Sequence, residues 1–226
     1  MKSLLKSGDT EKIIFFANVS RQREIYILAG NYLQTLDWRN NSDIMKNIIT
    51  FYNKAKAFDL LAMFYHACAE VEIDEYQSYE KAHGALSECM KCLNRVAEKS
   101  DVIHSRLVQV GRNMDLIARF VECQKLYESA PAKAIEGCKG LLKEENINVA
   151  VRKGDLYGFM VEHYVKAHNH KQAYALILEL RQEIPNVNLA YYVNTDVLLA
   201  IEKSLGVILQ VDAASKFSGE EPINDD

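Results

Sequence analysis

Proline, glycine and long apolar runs are all scarce in this chain of 226 residues. Only three prolines occur, Pro131, Pro185 and Pro222, and none of the ten glycines follows an Asn as in a tight β-hairpin. Long stretches without proline favour helices, and the missing hairpin signals disfavour a sheet. No apolar run approaches the roughly 18–20 residues that a membrane-spanning helix needs. We therefore expect an all-α chain that does not insert directly into a membrane.

An excess of charge of one sign is also missing outside the C-terminal end. The formal net charge is −4, and five acidic residues against one lysine in residues 212–226 account for all of it. The remaining body is close to neutral, so it lacks the basic patch with which proteins bind nucleic acid. The five cysteines are odd in number and lie in helical segments, which fits a reducing compartment.

The segment from Asp155 to Pro185 has the spacing of a tetratricopeptide repeat, which is two amphipathic helices with large and small residues at fixed positions. With Ala173 at position 20, the other signature positions are occupied by Tyr157, Met160, Val161, Tyr164, Ile177, Leu180 and Pro185. Val161 is the poor fit, because a small residue usually lets the two helices approach there. A unit of this kind cannot bury its own apolar face, so the pattern predicts stacked neighbours and a protein-binding surface.

Weaker copies of the pattern precede this segment. Ile25, Leu28, Ala29 and Tyr32 match positions 4, 7, 8 and 11, and Leu61, Ala62 and Tyr65 match three of them again. The residues EVEIDEYQ, 70–77, read as a connection about eight residues longer than such a repeat allows. We expect about ten helices in four degenerate repeats plus a cap, forming an α-solenoid of paired antiparallel helices over residues 1–211. Residues 212–226 are expected to be an acidic, disordered tail.

The repeat register nominates residues for a protein-binding groove. Positions 2, 5, 9, 12 and 13 of a first helix face that groove, and transferring them gives Tyr26, Leu33, Gln34, Lys56, Asp59, Met63, Asp155, Glu162, Val165 and Lys166. A clamp for a peptide's C-terminal carboxylate needs Lys, Arg or Asn at positions 5 and 9. No such residue stands at those positions, so we expect no clamp of that type.

Catalytic, cofactor and metal chemistry lack a motif. Cys89 and Cys92 form a CxxC, but no second pair follows at the spacing of a zinc site. Residues three positions apart lie on one face of a helix, so the pair fits an ordinary helical segment. His163, His168 and His170 lie near a helix end, where histidine is favoured by the helix dipole. The sequence has neither a phosphate-binding glycine loop nor a nucleophile elbow. We expect no enzyme activity, no cofactor and no metal.

Three long segments resemble the C-terminal helical-repeat region of the intraflagellar transport protein 140 family. They are FANVSRQREIYILAGNYLQTLDW at 16–38, MKNIITFYNKAKAFDLLAMFYHACAEVEIDEYQSYEKAHGAL at 45–86 and GDLYGFMVEHYVKA at 154–167. The closing YYVNTDVLLAIEKSLG and the acidic tail are similar to the C-terminal end of that family. The match is weakest at residues 94–141.

The resemblance implies a non-enzymatic scaffold subunit of intraflagellar transport complex A, without catalytic or cofactor residues. It implies a role in retrograde ciliary transport, in cilium assembly and in the ciliary entry of membrane-protein cargo. The implied partners are other repeat-containing subunits of that complex. The implied locations are the ciliary axoneme, the basal body and the cytoplasm. The chain would then be the C-terminal part of a larger scaffold, and the isolated piece could self-associate weakly.

A second interpretation stays open. A coatomer-like or tethering-complex scaffold in vesicle traffic is built from the same kind of helical pairs and also lacks catalysis.

Overall fold

The computed structural model describes residues 2–98 and 100–209. Within them the chain forms eleven α-helices, two short 3-10 helices at Ile147–Val149 and Leu189–Tyr191, and no strand. The α-helices are α1 (Lys2–Ser7), α2 (Thr10–Ser20), α3 (Arg23–Leu33), α4 (Ser42–Lys54), α5 (Phe58–Asp74), α6 (Tyr79–Arg95), α7 (Asp101–Leu126), α8 (Pro131–Leu141), α9 (Lys153–Lys166), α10 (His170–Glu183) and α11 (Thr195–Leu205). The predicted all-α helical-repeat class is confirmed. The predicted disordered tail lies outside the described residues.

The chain divides into two compact units, unit 1 (Met1–Glu122) and unit 2 (Cys123–Asp226). The division falls inside α7, which continues through Gly111 as one helix.

Unit 1 is built from the helix pairs α3–α4 and α5–α6, with α2 packed on α3. Aromatic contacts hold its core together. The ring of Tyr26 stacks on Phe51 at 5.6 Å, and Tyr79 meets Phe120 edge to face at 4.9 Å. Such ring pairs add about 0.5–1.5 kcal/mol each beyond the area they bury.

The sequence offers Asp9 and Ser20 as N-caps of the helices that follow them, and the two differ in outcome. Asp9 caps α2 as expected, since its side chain accepts a hydrogen bond from the backbone N–H of Lys12. Ser20 does not cap α3: it ends α2, and its hydroxyl donates to the carbonyl of Ala17 instead. A serine hydroxyl can bond backward to a carbonyl as readily as forward to an N–H, so its presence alone does not mark a helix start.

The register predicted for α3 is wrong by one residue. The buried positions are Tyr26, Ala29, Gly30 and Leu33, whereas the pattern placed Ile25, Leu28, Ala29 and Tyr32 inward. Gly30 sets this register, because the ring of Tyr52 from α4 lies only 2.7 Å from where a Cβ on Gly30 would stand. The close approach of Tyr52 thus needs glycine at that point.

The long connection predicted at residues 70–77 is also wrong. Helix α5 continues to Asp74, and only four residues separate it from α6. The turn closes because Gln77 adopts a left-handed φ of 51°. The N–H groups of Gln77 and Ser78 then donate to the carbonyls of Ile73 and Glu72. These two bonds satisfy carbonyls in the last turn of the helix without further residues.

Unit 2 centres on the helix pair α9–α10, where most of the predicted signature positions are buried, while Tyr164 is half-buried and Pro185 is exposed. Ala173, Val161, Met160 and Ile177 are all fully buried. Helix α11 packs on α10, and the chain beyond it folds back, since the Arg181 guanidinium donates to the carbonyl of Leu209 at 2.7 Å. The sequence offers Asn194 or Thr195 as the cap of the last helix and Gly206 as its end; the structure has the cap at Asn194 and a left-handed end at Gly206.

Candidate protein-binding surfaces

A groove opens in unit 1 between α5 and α7, with α6 as its floor. Its volume is about 460 Å³, within the range of pockets that hold ligands. We call it the α5–α7 groove. Its lining is Gln34, Ala62, Met63, His66, Ala67, Glu70, Cys89, Leu93, Arg106, Gln109 and Val110.

Two helical stripes form the walls of the α5–α7 groove. On α5, Met63, His66 and Glu70 follow one another at three and four residues and so share a face. On α7, Arg106 and Gln109 do the same. The exposed fraction of Met63 is 53%, so its side chain is accessible to a ligand in the groove.

The charges in the α5–α7 groove are unevenly paired. The Glu70 carboxylate lies 3.6 Å from Nδ1 of His66, one turn away on α5. Gln109 donates a hydrogen bond of 2.8 Å to the side-chain oxygen of Asn113. Arg106, by contrast, is exposed and has no ion pair with a carboxylate in the described part of the chain. The groove therefore offers one fixed positive charge beside an apolar surface.

The floor of the α5–α7 groove is apolar and chemically inert. Leu93 and Cys89 of α6 are buried there, at 1% and 2% exposure. Burial raises the pKa of the Cys89 thiol to about 11, because a thiolate would lose its hydration. The thiol is therefore almost fully protonated at neutral pH and is a poor nucleophile.

The predicted groove residues of unit 1 have different environments. Gln34 and Met63 line the α5–α7 groove together. Lys56 and Asp59 are near the start of α5 and do not line it. Tyr26 and Leu33 belong to the core, with 7% and 0% exposure, because the register of α3 was assigned one residue off.

In unit 2 the first turns of α9 are covered by the chain itself. The covering segment is residues 187–193, which contain the 3-10 helix Leu189–Tyr191. A Cβ on Gly154 would lie closer than 3.0 Å to the ring of Tyr192, and a Cβ on Gly158 equally close to the Tyr192 carbonyl. The two glycines, one turn apart, allow backbone to lie directly on the helix.

Arg152 fastens this segment to α9. Its guanidinium makes two hydrogen bonds to the Asp155 carboxylate, at 2.8 and 3.2 Å, and donates to the Tyr191 hydroxyl at 2.6 Å. It also stands over the rings of Tyr191 and Tyr192 at 5.0 and 5.7 Å. Asp155 is 8% exposed, and its carboxylate is bound by Arg152. The carboxylate therefore stabilises the fold and is not available to a ligand.

The other predicted residues of α9 lie towards its C-terminal end. Glu162 and Val165 are half-buried, and Lys166 is exposed. Lys166 lies 3.9 Å from the Glu162 carboxylate. Nearby, the Tyr127 hydroxyl is 3.1 Å from Nδ1 of His163. Burial, with Lys166 and Lys139 nearby, lowers the pKa of His163.

Sequence reasoning missed Arg106 and the covering segment. Arg106 lies on α7, for which no repeat register was assigned, although its spacing with Gln109 and Asn113 marks one helix face. The covering segment left a trace in the two glycines of α9, since glycine inside an element often marks a close backbone approach.

Clusters of metal-ligating side chains and membrane-spanning helices are both absent from the described residues. No group of three or more His, Cys, Asp or Glu residues among them could hold a metal ion. None of the helices described is both long and apolar enough to cross a membrane.

Two family models match the chain. Residues 59–181, more than half of its length, match the C-terminal TPR domain of intraflagellar transport protein 140. Residues 1–51 match the TPR domain of intraflagellar transport proteins 140 and 172. The first match spans most of the α5–α7 groove and of the α9–α10 pair, and it confirms the resemblance inferred from the sequence. Repeat domains of this kind are typically scaffolds without catalysis. The chain therefore belongs to the intraflagellar transport protein 140 family, of which it represents a TPR-like region.

Proposed function

We propose that this chain is a non-enzymatic scaffold subunit of intraflagellar transport complex A. In this proposal it holds other repeat-containing subunits together for retrograde ciliary transport, cilium assembly and the ciliary entry of membrane-protein cargo. Its place of action is the ciliary axoneme, the basal body and the cytoplasm. The observation that carries the proposal is the family match over residues 59–181.

Three features of the surface support a binding role. The α5–α7 groove is open and partly apolar. Helix α2 exposes Phe15 and Val19, with 70% and 63% of each side chain accessible. Ile208 after α11 is 84% exposed. Exposed apolar side chains that cluster are typical of protein contact sites.

The contact residues proposed from the repeat register are those that remain accessible. In unit 1 they are Gln34, Lys56, Asp59 and Met63. In unit 2 they are Glu162, Val165 and Lys166. Tyr26, Leu33 and Asp155 are left out, since the first two fill the core and the third is held by Arg152.

Affinity purification from ciliated-cell extract tests the proposal. The tagged chain should recover the repeat-containing subunits of complex A in stoichiometric amounts. Recovery of vesicle-coat or tethering subunits in their place would contradict the proposal and support the coatomer-like alternative. The Gly158→Ala variant, in which the packing of unit 2 is disturbed, is the control. It shows how far the recovery of subunits falls when the chain folds poorly.

A further inference from the structure

The α5–α7 groove combines an apolar pocket with a cation that has no ion pair to a carboxylate among the described residues. Leu93 and Val110 are buried at its base, with 1% and 4% exposure, while Met63 stands exposed at its edge. Methionine at a surface of this kind adapts its flexible side chain to what it meets. Arg106 borders the same space from α7.

We propose that the α5–α7 groove binds a partner protein segment that inserts one apolar side chain beside Met63 and Val110 and places a carboxylate against Arg106. The inference deepens the proposed function and rests on it, because it names the chemistry of one partner contact.

Charge complementarity argues for this occupant. The one carboxylate of the lining, Glu70, lies on the opposite wall from Arg106, 3.6 Å from Nδ1 of His66. Arg106 has no ion pair with a carboxylate in the part of the chain that the structure describes, and its guanidinium presents the donor geometry that fits a carboxylate with two hydrogen bonds. An arginine beside an apolar pocket is also a side-chain type that contributes strongly at protein interfaces.

The size of the groove argues for a side chain and its flanking backbone. A volume of about 460 Å³ exceeds what one aliphatic side chain fills and leaves room for the residue beside it. Gln34 and Gln109 line the same space. Each amide donates one hydrogen bond within the chain, to Tyr52 and to Asn113, and an amide has a second N–H and a carbonyl oxygen that can bond to that backbone.

Peptide selection on the whole chain tests the inference. Random peptides displayed on phage are selected on the wild-type chain and counter-selected on the Met63→Glu variant. We expect the retained sequences to share one large apolar residue with an Asp or Glu close to it. A selection that yields no peptides, or peptides without an acidic residue, would overturn the inference.

Charge exchange then tests the role of Arg106. One retained peptide is labelled for fluorescence anisotropy. Arg106→Glu should weaken its binding about tenfold or more, because the loss of a close charge pair at an interface typically costs at least that much. The same peptide with its acidic residue changed to Lys should bind the Arg106→Glu variant better than the wild type. This reversal also shows that the variant is folded.

Two matched controls fix the location. Lys6→Glu changes the net charge by the same amount on an exposed residue of α1 and should leave the affinity unchanged. Val108→Glu, on α7 outside the groove and 62% exposed, should also leave the affinity unchanged. Equal losses in the controls and in Arg106→Glu would contradict the inference. If complex A subunits still co-purify with the wild-type chain, only the groove chemistry fails and the proposed function stands.

Discussion

The carbonyl oxygen of Tyr192 lies against Gly158, so close that a Cβ at residue 158 would fall within 3.0 Å of it. The contact brings residues 187–193 onto the face of α9 that a tetratricopeptide repeat offers to its ligand. The chain of unit 2 therefore covers the first turns of this face itself, whereas Glu162 and Val165 further along α9 are half-buried and Lys166 is exposed.

Gly158→Ala tests this contact. The new methyl group meets backbone, which cannot move as a side-chain tip can, so we expect a loss of about 3 kcal/mol. Hydrogen exchange should rise in residues 187–193, and urea unfolding followed by circular dichroism gives the free energy.

Gly140→Ala is the matched control. Gly140 also lies in a helix of unit 2, but a Cβ there would have no neighbour within 4 Å. Alanine in an exposed helix should stabilise the protein by about 0.5–1 kcal/mol. Equal effects of the two substitutions would show that the covering segment does not rest on α9.

Overfilling at Ala173 tests the register of the α9–α10 pair. Ala173 is fully buried, so Ala173→Phe should cost about 1–3 kcal/mol or more. Ala175 is only half-buried, and Ala175→Phe should cost less. Urea unfolding of both variants measures the two losses of unfolding free energy. A larger loss in Ala175→Phe than in Ala173→Phe would mean that the helices do not cross at Ala173.

Much of unit 2 could be predicted from the sequence, because Tyr157, Met160, Ala173 and Ile177 follow the spacing of large and small residues. The α3 register could not, since Ile25 and Tyr26 are both apolar enough to fill position 4. Only the approach of Tyr52 to Gly30 decides between them.

The helix ends show a second limit of sequence reasoning. The turns that follow α4, α5 and α9 contain Lys56, Gln77 and His168, each with a left-handed φ between 51° and 55°. Glycine is the residue that usually marks such an end, so nothing in the sequence signals these three. Their turns are closed by backbone hydrogen bonds instead.

His168→Gly should stabilise the protein for the same reason. The left-handed conformation costs a residue with a Cβ roughly 1–2 kcal/mol, and glycine avoids that cost while losing more chain entropy on folding. We expect a net gain of about 0.5–1 kcal/mol. The control Lys166→Gly, inside the last turn of α9, should lower the free energy of unfolding. A loss of stability in His168→Gly would contradict the assigned turn.

His163 should make stability depend on pH. Its pKa is lowered in the folded protein, first by burial and then by Lys166 and Lys139. The unfolded chain therefore binds the proton more tightly, so stability is full above the ordinary histidine pKa of about 6.5 and declines as the pH falls through the lowered value.

The difference in unfolding free energy between about pH 7.5 and pH 5 measures this effect. His163→Gln should reduce that difference, whereas His104→Gln, at an exposed position on α7, should leave it as in the wild type. An unchanged difference in His163→Gln would show that the imidazole gains no net preference for its neutral form on folding.

Reconstitution tests the central claim, that the chain is a scaffold subunit of intraflagellar transport complex A, most directly. The purified chain is mixed with recombinant repeat-containing subunits of the complex and analysed by size-exclusion chromatography with light scattering. The account predicts one peak with the mass of a stoichiometric assembly containing the chain. Separate elution of the chain at its own mass of 25.7 kDa, with its circular dichroism still helical, would contradict the claim.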